Sequence, residues 1–230
     1  MTQDKKIGKL FIVATPIGNP RDITLHALDV LKNVDTIICE EFRQGSKLLR
    51  QLGIENDLLT LNEHNEAKEV NSILHRIQYG ETMALISDAG TPVFADPGGR
   101  LLRKIYQHNI PVSSIPGPSS LMTALSLCDF SIDRFYFAGF PPRKTPDRAA
   151  FLSQLRNMSV PIVLMDTPYR LTKLLSEIKD IFGDHQEILL ACDLTLRKEA
   201  IFRGLIKDVH PRLSGQKREF LLILNPHHKN

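Results

Sequence analysis

Residues 84–99 read ALISDAGTPVFADPGG, and this stretch decides the fold. An apolar run ends abruptly at Ile86 and is followed by SDAGTP and then DPGG, two acidic turns that are rich in Gly and Pro. A buried strand that ends in a polar turn is typical of a parallel α/β sheet, and ligands bind to such sheets beyond the carboxyl ends of the strands. We therefore predict that this stretch forms the floor of a ligand site.

The rest of the N-terminal half repeats the same alternation of apolar runs and helical patterns. Predicted strands lie within 9–15, 35–40, 57–65, 82–88 and 110–117, and predicted helices lie within 22–33, 46–53, 66–80 and 98–109. Continuous apolar strands that alternate with helices indicate a parallel sheet with both faces covered. The polar stretches TPIGNP, EEFRQGS, SDAGTP and PGPSS each follow a strand, so we expect them at one edge of the sheet.

The pattern changes near residue 118. Further strands are predicted within 134–142, 160–166, 186–194 and 218–226, with a helix within 143–158. This half is predicted to be a second, more mixed α/β unit. The predicted fold class is therefore α/β, with an N-terminal domain at 1–117 and a C-terminal domain at 118–230.

The composition excludes several classes of protein. The chain has 230 residues, 42% hydrophobic and 24% charged, and its apolar runs are shorter than the roughly 20 residues that a membrane span needs. Its start lacks a secretory signal, so we expect a cytoplasmic protein with no membrane partner. Three cysteines without CxxC spacing favour neither a disulfide framework nor a zinc site, and no metal is predicted. The net charge of +3 permits an anionic partner.

Several side chains in the predicted loops could bind a ligand or act in catalysis, although each also has a simpler explanation. Asp88 and Thr91 could contact a ribose or could only stabilise a turn. Ser119 and Ser120 could bind a carboxylate or could only cap a helix. The candidates for acid–base chemistry, which could equally be surface charges, are Glu40, Glu41, Arg43 and His64.

Seven stretches, in order, resemble one known family. They are FIVATPIGNPRDIT, CEEFR, LNEHNE, ISDAGTPVFADPG, IPGPSSLMTAL, DRFYFAGFPPRK and MDTPYRL. In this order they resemble the bacterial ribosomal RNA small-subunit methyltransferase I proteins, which have the tetrapyrrole methylase (class III) fold of S-adenosylmethionine-dependent methyltransferases. The match covers nearly the whole chain, from residue 9 to residue 226.

The resemblance implies two α/β domains with S-adenosylmethionine in the cleft between them, in a homodimer. It implies 2′-O-methylation of a cytidine ribose in small-subunit (16S) ribosomal RNA, so the expected partner is the small ribosomal subunit or its rRNA. By matched position, the cofactor residues would be Pro16, Asp88, Thr91, Ser119, Ser120, Met165 and Ala191. The residues near the target ribose would be Glu40, Glu41, Arg43 and His64, and Arg143, Lys144 and Arg148 would contact phosphates.

Two stretches depart from the family pattern. Glu40-Glu41-Phe42-Arg43 stands where the family usually has Glu-Asp-Thr-Arg, and the stretch CDLTL (192–196) stands where it usually has Arg-Glu-Leu-Thr-Lys. These departures leave two alternatives open. One is a paralogue that methylates another RNA or a small molecule such as a tetrapyrrole, and the other is a non-catalytic module that binds the cofactor or RNA.

Overall fold

The computed structural model describes residues 7–94 and 96–226, which form two compact units. The first unit ends at Ser119 and the second begins at Ser120. The domain boundary predicted from the sequence, between 117 and 118, lies two residues before this division.

The described part of the first unit is built around a five-stranded sheet. Its strands are β1 (Leu10–Val13), β2 (Thr36–Cys39), β3 (Asp57–Thr60), β4 (Met83–Ile86) and β5 (Val112–Ile115). Its helices are α1 (Leu25–Asn33), α2 (Phe42–Leu52), α3 (Glu66–Gln78) and α4 (Gly99–Gln107). The strand order is β3-β2-β4-β1-β5, and all neighbouring strands pair in parallel, which confirms the predicted parallel sheet.

Helices cover both faces of this sheet. Successive side chains of each strand point to opposite faces, so neighbouring residues of one strand contact different helices. Leu10 and Ile12 of β1 pack in one apolar cluster with residues of α3 and α4. Phe11 and Val13 pack in a second cluster with residues of α1 and α2. The α1–α2 face and the α3–α4 face are therefore opposite faces of one three-layered unit.

Helix α2 is longer than its sequence pattern predicts. It was expected to begin at Ser46, but it begins at Phe42, because the side chain of Glu41 accepts a hydrogen bond from the backbone amide of Arg43 and caps the helix. Its end at Gly53 is confirmed, and Gly53 has a φ of 65°, in the left-handed region that glycine adopts easily.

The described part of the second unit has a mixed sheet, as predicted, but with five strands where the sequence predicts four. Its strands are β6 (Tyr136–Gly139), β7 (Ile162–Asp166), β8 (Glu187–Cys192), β9 (Ala200–Leu205) and β10 (Phe220–Leu224), and its helices are α5 (Ser120–Leu125), α6 (Thr145–Leu155), α7 (Leu171–Phe182) and α8 (Ile206–Val209). The order is β6-β7-β10-β8-β9, with β6 and β7 parallel and the other pairs antiparallel. No helix among the described residues is long and apolar enough to cross a membrane.

Candidate active site

The five strands of the first unit all end at the same edge of the sheet, which we call the carboxyl edge. Its loops are Ala14–Asn19, Glu40–Glu41, Leu61–Asn65, Ser87–Gly98 (Ala95 is not described) and Pro116–Ser119. Most of the candidate site residues named from the sequence lie in these loops or directly beside them: Pro16, Glu40, Glu41, Arg43, His64, Asp88, Thr91 and Ser119. The topology thus brings together side chains that are up to 103 positions apart in the sequence, from Pro16 to Ser119.

The loop after β1 is joined to the loop after β4 through Thr15. Backbone hydrogen bonds run in both directions between Thr15 and Gly90, with N–O distances of 2.9 and 3.1 Å. The buried hydroxyl of Thr15 also donates to the carbonyl of Ser87 at 3.0 Å. Thr15 was not among the candidates named from the sequence, although its position between an apolar run and Pro16 marks the end of a strand.

Close packing continues toward the loop after β5. The hydroxyl of Thr91 donates to the carbonyl of Pro118 at 3.4 Å. A Cβ added to Gly90 would lie 3.2 Å from Ile17, and one added to Gly117 would lie 3.0 Å from Ala14. Gly90 also has a φ of 85°, which favours glycine. The three loops therefore form one surface of closely apposed backbone.

A cluster of acidic side chains lies on the β2 side of the carboxyl edge. We call Glu40, Glu41, Glu63, Asp88 and Asp96 the carboxylate cluster. Partial burial, together with the negative charges of Asp96 and Asp88, raises the pKa of Glu40 above its ordinary value. Burial also raises the pKa of Asp88 and of Asp96.

Asp96 does not cap the helix that follows it. Helix α4 has Gly98, which carries no side chain, at its N-cap position. Glu66 of α3 instead accepts hydrogen bonds from the amides of Gly98 and Arg100, at 3.1 and 3.2 Å. Asp96 instead belongs to the carboxylate cluster, because its charge acts on Glu40 and raises the pKa of that residue.

The loop after β3 holds His64 at an exposed position. Asn62 accepts hydrogen bonds from the amides of His64 and Asn65, at 3.1 and 3.2 Å, and Asn65 in turn donates to the carbonyl of Thr60 at 3.0 Å. These bonds fix the backbone beneath the imidazole, while the ring remains accessible to a ligand.

The remaining candidate cofactor residues belong to the second unit. Ser120 is the first residue of α5, and Met165 and Ala191 lie on β7 and β8. Both pair in register with Leu221 of β10, so the two side chains lie in one row across the sheet. Their role in closing the cofactor pocket stays a prediction.

One expected phosphate contact is wrong. Arg148 was expected to grip phosphates, but it is only 2% exposed and forms a two-pronged pair with Glu177, with one N–O distance of 2.6 Å. Its guanidinium also donates to the carbonyls of Pro142 and Arg143. Arg148 therefore holds the loop before α6, whereas Arg143 and Lys144 on that loop are exposed.

The described residues contain no group of His, Cys, Asp or Glu side chains arranged to hold a metal ion. Cys39, Cys128 and Cys192 are free thiols, and burial raises the pKa of each to about 11. Thiols with such pKa values are weak nucleophiles at neutral pH.

Comparison with known proteins agrees with this arrangement. The sequence profile of the tetrapyrrole (corrin/porphyrin) methylases matches residues 9–210. The chain belongs to the tetrapyrrole methylase family. That match includes all of the carboxyl edge, together with β6, β7, β8 and β9 of the second unit.

Within the tetrapyrrole methylase family, the chain is similar to proteins named ribosomal RNA small subunit methyltransferase I. It is 39% identical over 211 residues to the protein of that name from Thermotoga maritima, a match that covers 92% of this chain and 94% of the relative. It is 41% identical over 200 residues to the one from Rickettsia prowazekii, which covers 87% of this chain and 71% of the relative.

A solved tetrapyrrole methylase structure has the same fold. The crystal structure of a cobalt precorrin-4 methyltransferase, a cobalamin biosynthetic enzyme, matches with a TM-score of 0.70 at 16% identity, over 94% of both chains. At this identity the likeness shows the fold alone, and it confirms the predicted α/β class.

Proposed function

We propose that this chain transfers a methyl group from S-adenosylmethionine to the 2′-oxygen of a cytidine ribose in small-subunit ribosomal RNA. The observation that carries the proposal is the convergence of acidic and hydroxyl side chains at the carboxyl edge of a methylase fold. The substrate class is supported by the relatives named ribosomal RNA small subunit methyltransferase I, which are 34–41% identical to this chain.

The residues at the carboxyl edge fit S-adenosylmethionine. The carboxylate of Asp88 is an acceptor suited to ribose hydroxyls, and the hydroxyl of Ser119 suits the carboxylate of the amino-acid part. The glycines at 90 and 117 let the loops after β1, β4 and β5 pack closely, which holds Asp88, Thr91 and Ser119 near one another. As cofactor residues we propose Asp88, Thr91, Ser119 and the Pro16 loop in the first unit, and Ser120, Met165 and Ala191 in the second.

When bound, S-adenosylmethionine supplies a methyl group already activated by its sulfonium. The protein must then align the ribose hydroxyl and accept its proton. Glu40 is our choice for the base, because burial and the neighbouring carboxylates raise its pKa toward the pH at which the enzyme works. Glu41 caps α2 through its side chain, and His64 and Arg43 are exposed beside it, where they could orient the RNA.

We further propose that the enzyme works as a homodimer in the cytoplasm, where ribosomal subunits are found. Sedimentation of the purified protein at several concentrations tests the first point. A monomer at every concentration would contradict it.

Methyl transfer from labelled S-adenosylmethionine tests the proposed reaction. The acceptors are 30S subunits and free rRNA from cells that lack this protein. We expect label at a ribose 2′-oxygen and loss of label in Asp88→Ala. Absence of label, with calorimetry still reporting cofactor binding, would reject rRNA as the substrate and favour a paralogue with another substrate or a binding module.

A further inference from the structure

Helix α2 presents a row of three cations to solvent. Arg43, Lys47 and Arg50 follow one another at intervals of four and three residues, which places them on one face of the helix. All three are exposed, and the opposite face is buried through Gly45 and Leu49. We call Arg43, Lys47 and Arg50 the basic row.

The charge of the basic row is not balanced within α2. The helix Phe42–Leu52 contains no Asp or Glu. Among the described residues, the three side chains take part in none of the ion pairs that tie down other surface cations, such as Arg203 with Asp129 at 2.7 Å. The basic row is therefore available to an anionic partner, as are other exposed cations such as Arg103 and Lys104, and it differs from them in what lies beside it.

A groove and an exposed aromatic ring accompany the basic row. Two adjoining depressions of about 740 and 860 Å³ share Phe42, Ser46 and Arg50, and the second reaches the first two residues of the edge strand β3. The ring of Phe42 is 56% exposed at the first turn of α2, directly after Glu41 of the carboxylate cluster. An exposed aromatic ring beside a row of cations is a combination that binds unpaired bases and phosphates together.

We infer that the basic row and Phe42 form a docking surface for single-stranded RNA that leads to the carboxyl edge. This inference rests on the proposed function and adds where the substrate strand lies. The cations contact successive phosphates, and Phe42 stacks on a base next to the target nucleotide. Because α2 starts at the carboxyl edge and runs away from it, the strand would approach along the α1–α2 face of the first unit.

Charge favours RNA over a second copy of the chain as the occupant. A protein face that covers the basic row needs acidic partners for three cations, whereas the RNA backbone supplies one negative charge per nucleotide. The acidic residues Glu55 and Asp57 lie only at the far end of the second depression. They limit the path of the RNA phosphates at that end, and the carboxylate cluster limits it beyond Phe42, so the phosphates would lie over the basic row between the two.

The test compares equilibrium binding to 30S subunits over a range of salt concentrations. Lys47→Gln/Arg50→Gln removes two charges from the basic row, and Arg103→Gln/Lys104→Gln removes two exposed charges from α4 on the opposite face of the same sheet. We expect only the first pair to weaken binding and to reduce the slope of log affinity against log salt, by about one unit per cation. Phe42→Thr is expected to weaken binding roughly tenfold without changing the slope, because stacking releases no counterions.

Each outcome decides between the possibilities. If wild-type protein binds 30S subunits and the Lys47/Arg50 variant binds equally well, or the Arg103/Lys104 variant loses as much, the docking surface is wrong while the proposed function stands. If wild-type protein neither binds nor methylates any small-subunit RNA, the proposed function fails and this inference fails with it. If sedimentation shows that the Lys47/Arg50 variant changes its oligomeric state, the surface is an interface between copies and the RNA assignment is overturned. Calorimetry with S-adenosylmethionine verifies that each variant is folded.

Discussion

The carboxylate of Asp88 accepts a hydrogen bond from the backbone amide of Glu41 at 3.4 Å, so the loop after β4 supports the loop after β2. The opposite edge of the same sheet has a counterpart. There, Asp35 accepts hydrogen bonds from the amide and the hydroxyl of Thr82, both at 2.7 Å, and joins the residues that precede β2 and β4. Two aspartates thus connect the same two strands at their two ends, and one of them lies at the candidate active site.

The charge of Asp88 is expected to contribute mainly to cofactor binding. Asp88→Asn keeps an acceptor for the amide of Glu41 but loses the negative charge, so we expect the affinity for S-adenosylmethionine to fall by about tenfold or more, the effect of losing charge-assisted hydrogen bonds. Calorimetry measures the affinity. The matched control is Asp35→Asn, which should lower the melting temperature and leave cofactor affinity unchanged. Equal losses of S-adenosylmethionine affinity in the two variants would mean that Asp88 does not bind the cofactor.

Glu40 is expected to lower stability while it supports catalysis. The pKa of Glu40 is higher in the folded state than in the unfolded state, where it is roughly 4.3, so folding favours the protonated form. The free energy of unfolding therefore decreases as the pH rises from the unfolded pKa through the higher folded pKa. Glu40→Gln should therefore melt higher than the wild type at pH 7, with the difference vanishing below about pH 4. Methyl transfer by the variant should fall by roughly 10²–10⁴-fold.

The pH dependence of the wild-type enzyme gives an independent test of Glu40. Single-turnover methyl transfer should decline as pH falls through the raised pKa of Glu40, and the exposed residue Asp180 on α7 offers a control. Asp180→Asn should alter neither the rate nor its pH profile. A Glu40→Gln enzyme with an unchanged profile would show that another group accepts the proton.

The order of strands and loops explains how much of this site the sequence could predict. Apolar runs followed by Gly/Pro-rich turns identified the carboxyl edge, because a parallel sheet places the ends of its strands together. Thr15 was missed because its role depends on contacts with residues far along the chain. The start of α2 was missed because it depends on a cap supplied by the neighbouring Glu41. The buried pairing of Arg148 was missed for the same reason, because its partner lies 29 residues away on another helix.

In the second unit, the sequence patterns were weaker. Helix α7 and strand β9 were not assigned, and β9 is an edge strand whose residues are all at least partly exposed. An edge strand lacks the continuous apolar run that marks a buried one, so its periodicity carries less information. The buried central strands β7, β8 and β10 were all found.

Gly45 is expected to be required for the position of α2. A Cβ at this residue would lie 2.8 Å from the sulfur and 2.9 Å from the Cβ of Cys39, a buried side chain on β2 that cannot move away. Gly45→Ala should push α2 off the sheet and reduce the free energy of unfolding by about 1–3 kcal/mol. Gly99→Ala, at a helical position with open space, is the control and should be neutral or slightly stabilising. Chemical denaturation measures both, and similar values for the two would contradict close packing at Gly45.

Asp193 is expected to stabilise the loop after β8. Burial by itself would raise the pKa of Asp193, but the hydrogen bond from Arg218 (2.6 Å) and the ion pair with Lys198 (3.0 Å) outweigh it and hold the pKa below its ordinary value. The stability from these bonds is fully present above about pH 4 and is lost as pH falls through the lowered folded pKa. Asp193→Asn should cost about 2–3 kcal/mol at pH 7, and the difference from wild type should shrink in acid.

The control for Asp193 is an exposed ion pair. Lys179 and Asp184 are 3.5 Å apart, and the side chain of Asp184 is 57% exposed. Asp184→Asn should therefore change stability by no more than about 0.5 kcal/mol. Thermal melts from pH 3 to pH 8 compare the two variants, and a pH-independent loss in Asp193→Asn would mean that packing rather than ionisation accounts for its effect.

Substitutions of Arg148 and Arg143 are expected to have different effects. The first should reduce the stability of the protein, and the second should reduce its affinity for RNA. Arg148→Gln leaves Glu177 without its partner and frees the carbonyls of Pro142 and Arg143, so it should reduce the free energy of unfolding by about 3–5 kcal/mol. Arg143→Gln changes an exposed side chain and should leave the melting temperature within about a degree or two, which corresponds to less than about 0.5 kcal/mol. If the loop contacts RNA, Arg143→Gln should still weaken binding to 30S subunits and reduce the salt slope by about one unit. If Arg148→Gln were stable but bound RNA more weakly, Arg148 would contact phosphate after all, despite its burial.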